Sequence, residues 1–152
     1  MLTMFTDGSS VRGNPGLAAG AYVLMRDGKM LESLGVPLGE GTNNEGELMA
    51  VLTGMAVSRE YLSEGEELLV VSDSQYVIRG LEHIKDYVKG NRPNKALWIL
   101  LYTMMDQLSD KNVIVKTHWI KGHSKNNGNI ACDRLARKTA RTQMHQMIDG
   151  KK

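Results

Sequence analysis

The sequence has a single cysteine, Cys132, so no intrachain disulfide can form and nothing points to an oxidising compartment. No apolar run approaches transmembrane length, and Met1-Leu2-Thr3-Met4 is not the start of a signal peptide. Both absences point to the cytoplasm and away from the membrane. No repeat, low-complexity tract or linker divides the 152 residues, which read as one domain with a flexible tail over about 143–152. Net charge is only +2, so bulk charge does not mark a nucleic-acid binder. Zinc-ligand spacing is also missing: His118 and His123 are not helically paired, and Cys132 has no second thiolate.

What is present is an ordinary globular composition, 41% hydrophobic and 24% charged. The ten methionines read as core filler. Charge is uneven: the last third carries Lys116, Lys121, Lys125, Arg134, Arg137, Lys138 and Arg141.

The most informative stretch is Leu68-Leu69-Val70-Val71-Ser72-Asp73-Ser74. An apolar, valine-rich run without alternation reads as a strand buried on both faces. It places Asp73 at the strand's carboxyl end, where open α/β sheets bind ligands. The first strand, 2–6, repeats the pattern and ends at Asp7. Strands over 18–25 and 29–36 join at an Asp27-Gly28 turn, so the first three strands form an antiparallel meander. A loop over 37–41 leads to Thr42-Asn43-Asn44, which offers helix caps, with Glu45 and Glu47 in the first turn. That helix lasts until Gly65. It implies a crossover and parallel pairing of the strand at 68–72 with the first. Ser74 opens a second helical pattern, and 82–95 is polar and basic. A helix over 96–108, a fifth strand over 113–119, a loop over 122–128 and a last helix over 129–142 complete the chain. The fold class is α/β.

Four carboxylates stand at functional-looking positions: Asp7, Glu47, Asp73 and Asp133. Singly, each has an ordinary reading as turn acid, dipole partner, helix cap or surface ion pair. Together, converging on one strand mouth, they would repel each other unless a divalent metal neutralised them. Oxygen-only ligation suits Mg²⁺ or Mn²⁺ rather than zinc. The Gly8–Gly16 stretch is glycine-rich but lacks the lysine of a Walker loop, which excludes that class of nucleotide binding.

Six segments carry a resemblance. They are Phe5-Thr6-Asp7-Gly8-Ser9, Gly13-Asn14-Pro15-Gly16, Thr42-Asn43-Asn44 with Glu47-Leu48-Met49-Ala50, Ser72-Asp73-Ser74-Gln75-Tyr76-Val77, Trp119-Ile120-Lys121-Gly122-His123, and Asn129 with Cys132-Asp133-Arg134-Leu135-Ala136. In this order the sequence resembles type I ribonuclease H, roughly over 3–140. The resemblance implies a ribonuclease H-like fold: a five-stranded mixed sheet flanked by helices, with strands 4 and 5 parallel to strand 1. It implies two-metal hydrolysis of the RNA strand of RNA–DNA hybrids, leaving 5′-phosphate and 3′-hydroxyl ends. Asp7, Glu47, Asp73 and Asp133 would bind two Mg²⁺ ions, with Mn²⁺ as a substitute, and His123 would move protons. Ser10, Asn14, Thr42, Asn43, Gln75 and Asn129 would contact the hybrid.

A monomer is the default expectation, and because the chain starts directly at the first strand, the separate hybrid-binding domain of some relatives is expected to be absent. Glu45 and Gly46 depart from the pattern, standing where an Arg and an apolar residue are frequent. Gly46 is expected to loosen the helix start by up to about 1 kcal/mol relative to Ala. The basic segment 83–95 is short and lacks the tryptophan cluster of longer relatives. A DNA-cutting nuclease of the same fold, or an inactive hybrid-binding module, are the competing readings.

Overall fold

The computed structural model describes residues 1–122 and 125–149. The elements in chain order are β1 (Leu2–Val11), β2 (Gly16–Arg26), β3 (Lys29–Gly41), α1 (Asn43–Ser58), β4 (Glu67–Ser72), α2 (Gln75–Glu82), α3 (Ile84–Tyr87), α4 (Lys95–Asp110), β5 (Ile114–Trp119) and α5 (Asn127–Asp149). One five-stranded sheet has the order β3-β2-β1-β4-β5. β1, β2 and β3 are antiparallel, and β4 pairs in parallel with both β1 and β5. The expected α/β architecture and strand directions are therefore observed.

Strand alternation divides the core in two. Leu2, Met4, Tyr22, Leu24, Leu68 and Val70 point to the face covered by α1, α2 and α4. Phe5, Ala21, Val23 and Val71 point to the other face, against Cys132 and Ala136 of α5. β4 thus buries side chains on both faces, the reason its sequence lacks a polar alternation. The β2–β3 turn has positive φ at both Asp27 (52°) and Gly28 (76°), as a two-residue type I′ hairpin requires.

Several boundaries differ from the sequence expectation. β1 does not stop at Asp7. Its ladder with β2 continues to Val11↔Leu17, which puts Asp7 inside a strand opposite Ala21. β3 runs through 37–41 instead of ending in a loop, with a register shift near Ala18/Ala19 and Pro37 opposite Ala19. Proline is tolerated there because β3 is an edge strand. α1 ends at Ser58, well before Gly65. The N-cap of α2 is Ser74, whose hydroxyl accepts the Val77 N–H, so Asp73 is not the cap. α5 begins at Asn127, earlier than expected, because Asn126 Oδ1 accepts the N–H groups of Gly128 and Asn129. It continues past 142 to Asp149.

The segment 83–95 is not a bare surface loop. It contains α3, Ile84 is buried, and Tyr87 packs edge-on against Trp98 at 5.0 Å. Trp98 is fully buried and its indole N–H donates to the Tyr76 hydroxyl at 2.9 Å. Arg92 stacks on the Tyr87 ring at 4.6 Å.

α1 crosses β1 and β2 on a seam of small residues. A methyl group at Gly46 would collide with the Ala19 carbonyl, and one at Gly20 would collide with the Gly46 carbonyl and stand 3.0 Å from the Ala50 Cβ. Gly46 is therefore a close-approach residue and not simply a weak helix former. This reverses the sign expected from propensity. Gly46→Ala should destabilise the protein by about 1–3 kcal/mol through overpacking, although Ala favours helix. Urea unfolding of the two proteins checks this, and a stabilised variant would mean that the seam relaxes.

Candidate active site

The site forms where β1 and β4 part. Their parallel ladder ends at Phe5↔Val71, while β1 continues along β2. The gap holds Asp7 from β1 and Asp73, the residue directly after β4. Glu47 reaches it from α1, one turn in from the N-cap Thr42. Its approach needs Gly8, where a methyl group would stand 2.6 Å from the Asn43 carbonyl oxygen and 2.7 Å from the Glu47 nitrogen. Carboxylate oxygens of Asp7, Glu47 and Asp73 all lie within 4.8 Å of one another.

Asp7 is 5% exposed and Glu47 7% exposed, so two of the three acids are buried. The Gly8 N–H donates to Asp7 Oδ1 at 2.8 Å. Glu47 Oε2 is buried without a hydrogen-bond partner. Burial first, and then the charge of Asp73, push the Asp7 carboxyl up to about 7, against the lowering effect of the Gly8 N–H. Burial, and then Asp7 and Asp73, push Glu47 well above the usual carboxylate range. Three ionised acids this close need either shared protons or a bound cation. An orphaned carboxylate oxygen and an all-oxygen donor set fit a hard divalent cation.

Asp133 is half-buried in α5 and is not within the three-acid group. Its Oδ1 pairs with Arg137 at 3.3 Å, while its carboxyl also faces Asp7 and helps to raise it. The fourth expected ligand thus lies beside the cluster, held by a cation one helical turn on. His123 lies outside the described residues. Its neighbour Gly122 is near the cluster, since a methyl group there would be 3.5 Å from Asp73 Oδ2. The Trp119 indole N–H donates to the Asp73 carbonyl at 3.0 Å and anchors the end of β4 to β5. In the sequence Trp119 stands out only within its motif, and its place as the last residue of a neighbouring strand is the signal that points to this role.

The expected substrate contacts divide into groups. Asn14 Oδ1 accepts the Asn43 N–H at 2.9 Å, which brings Asn14, Asn43 and Thr42 to one place at the start of α1. Thr42 and Glu45 form a reciprocal capping box, with Glu45 Oε1 accepting from both the Thr42 N–H and hydroxyl. Ser10 donates to the Gly13 carbonyl within the neighbouring turn. Gln75 stands apart and exposed at the start of α2, accepting from Arg79. Asn129 is buried in the first turn of α5, 4% exposed.

The raised Asp7 carboxyl gives a signed pH dependence. Unfolded, it titrates near about 3.9. Between that value and about 7 the folded protein holds a proton that the unfolded chain lacks. Stability from this group is therefore full below about 4 and is lost as pH rises through about 7. Asp7→Asn should stabilise the metal-free protein by about 4 kcal/mol at pH 8 and by about 1–2 kcal/mol at pH 5. Thermal unfolding in chelator at both pH values measures the difference, and an equal effect at both would contradict the assigned burial.

Comparison with known proteins agrees with this geometry. The RNase H family model matches residues 1–141. The ribonuclease H of Treponema pallidum is 32% identical, the alignment covering 97% of this chain and 95% of that protein. The ribonuclease H of Tolumonas auensis is 35% identical, covering 91% and 89%. Among solved structures, the N-terminal RNase H domain of a Mycobacterium tuberculosis protein, fused to maltose binding protein, superposes with a TM-score of 0.77. It is 22% identical, with 96% of this chain and 97% of that chain covered. LC11-RNase H1, solved in complex with an RNA/DNA hybrid, gives 0.76 at 21% identity, covering 95% and 99%. A family model that matches nearly the whole chain, and relatives named ribonuclease H above 30% identity, show that the chain belongs to the RNase H family.

Proposed function

We propose that this protein hydrolyses the RNA strand of RNA–DNA hybrids. The observation that carries the reading is the three-acid cluster at the β1–β4 seam in a chain of this family. Asp7, Glu47 and Asp73 would hold divalent metal, Mg²⁺ with Mn²⁺ as a substitute, with Asp133 beside them as the fourth carboxylate. Two such ions supply a water of lowered pKa and charge neutralisation at the leaving oxygen. The products are a 5′-phosphate and a 3′-hydroxyl.

The remaining roles fall to side chains around the cluster. His123, which follows Gly122 in the sequence, is the group that would move the proton, since imidazole titrates near neutral pH. Asn14, Thr42 and Asn43, with Ser10 in the neighbouring turn and Gln75 separately at the start of α2, read the hybrid through 2′-hydroxyl and phosphate contacts. Asn129, in the first turn of α5, is the remaining candidate contact to the hybrid. The protein acts as one monomeric domain in the cytoplasm. Its single cysteine is buried, and no helix among the described residues is long and apolar enough to cross a membrane.

Matched RNA–DNA, RNA–RNA and DNA–DNA duplexes, each with Mg²⁺, Mn²⁺ or chelator, test the reading directly. Cleavage should be confined to the RNA strand of the hybrid and vanish in chelator. Asp73→Asn should lower kcat by about 10³-fold or more, a loss of about 4 kcal/mol in transition-state stabilisation. Cutting of DNA would move the protein to the DNA-cleaving enzymes of this fold. Hybrid binding without cleavage under either metal would make it a binding module.

A further inference from the structure

α5 carries a feature that the cluster chemistry does not use. From Arg134 to Ile148 the chain has Arg134, Arg137, Lys138, Arg141 and His145, and no acid. Successive helical residues are about 100° apart, so Arg134, Lys138, Arg141 and His145 share an arc of about 60° over a length of about 16 Å. All four are exposed. The opposite side of the helix is locked to the sheet through Cys132, Ala136 and Ala140, each fully buried. The cations therefore stand on a rigid element.

Two further observations give this face a direction and a partner. A shallow groove of about 480 Å³ runs along it, lined by Asp133, Arg134, Arg137, Lys138, Arg141 and His145. It starts at the acid beside the metal-binding cluster and leads away from it. Arg137 is occupied by Asp133. Among the described residues, no carboxylate is within ion-pair distance of Arg134, Lys138 or Arg141. A row of unneutralised cations on one rigid face carries an unfavourable self-repulsion, which a polyanion relieves. The other basic segment, 83–95, is less available, since Arg92 is stacked on Tyr87 and Asp86 lies among its lysines.

We propose that this face of α5 is a contact surface for nucleic-acid backbone, with Arg134, Lys138 and Arg141 engaging phosphates beyond the one being cleaved. The proposal rests on the nuclease reading for its substrate. It adds a grip on the α5 side of the sheet, opposite the face where α2, α3 and α4 pack. Phosphate contacts position a duplex without reading its sequence, so the surface contributes affinity and register rather than hybrid selectivity.

The test compares Lys138→Ala/Arg141→Ala with the charge-retaining Lys138→Arg/Arg141→Lys. Dissociation constants for a labelled RNA–DNA hybrid are measured in chelator over a series of salt concentrations, and cleavage is measured with Mg²⁺. The alanine pair should weaken binding about 10-fold at low salt and flatten the log–log salt slope by about 2. KM should rise while kcat stays unchanged, and the charge-retaining pair should match the parent in each respect. A DNA–DNA duplex should show the same loss of slope. Parent-like affinity and slope in the alanine pair would overturn the surface. If the parent still cleaves hybrid, that result leaves the nuclease reading intact. A parent that never cleaves, yet loses binding and slope with the two alanines, overturns the nuclease reading and keeps the surface.

Discussion

Everything at the centre of this molecule depends on keeping three carboxylates within 4.8 Å of one another in a largely buried position. Like charges at that distance repel, and burial removes the water that would screen them. The fold accepts the cost by supplying rigid seats. β1 is held on both sides up to Phe5 and then on one side only, so Asp7 projects at the place where the sheet opens. β4 ends there as well, anchored by the Trp119 indole. α1 is lowered onto Gly8 and Gly20 through Gly46, and it carries Glu47 into the same gap. A cluster assembled from three separate elements cannot relax by moving one of them. Its charge must be met by protons or by metal.

That constraint explains why residues without chemistry of their own matter. Gly46 costs helix propensity but permits the approach that puts Glu47 beside Asp7. Thr42 and Glu45 close a capping box that fixes where the helix begins. Asp133 is arranged differently, paired with Arg137 at the edge of the cluster. The unpaired cations of the same helix continue from that edge, so α5 links the site to an electropositive face.

The periodic elements were legible. β4 was readable because a run buried on both faces has no polar residue to confuse it, and the β2–β3 hairpin because Asp27-Gly28 is suited to a turn of positive φ. Boundaries were less so. β1 passes through Asp7-Gly8-Ser9, which reads locally as a turn, because hydrogen bonding to β2 overrides the preference of an Asp-Gly pair. β3 continues through Pro37 because only its β2 side needs to pair. The segment 83–95 reads as a charged loop, but Ile84 and Tyr87 anchor it on Trp98, a contact between residues distant in the chain.

The sequence by itself determined the chemistry on offer: four acids that follow or lie within regular elements, no competing thiolate or paired histidine, and a cap at Thr42. These are local properties, set by residue type and spacing along one strand or helix. Only the tertiary structure decided that Asp7, Glu47 and Asp73 form one group while Asp133 is held aside by Arg137. It likewise decided that Asn129 is buried and that Gly46 is a point of contact. The reason is physical. Proximity between elements, and the burial and charge coupling that follow from it, depend on how helices and strands pack. Two residues forty positions apart in the chain acquire an interaction only when that packing brings them together.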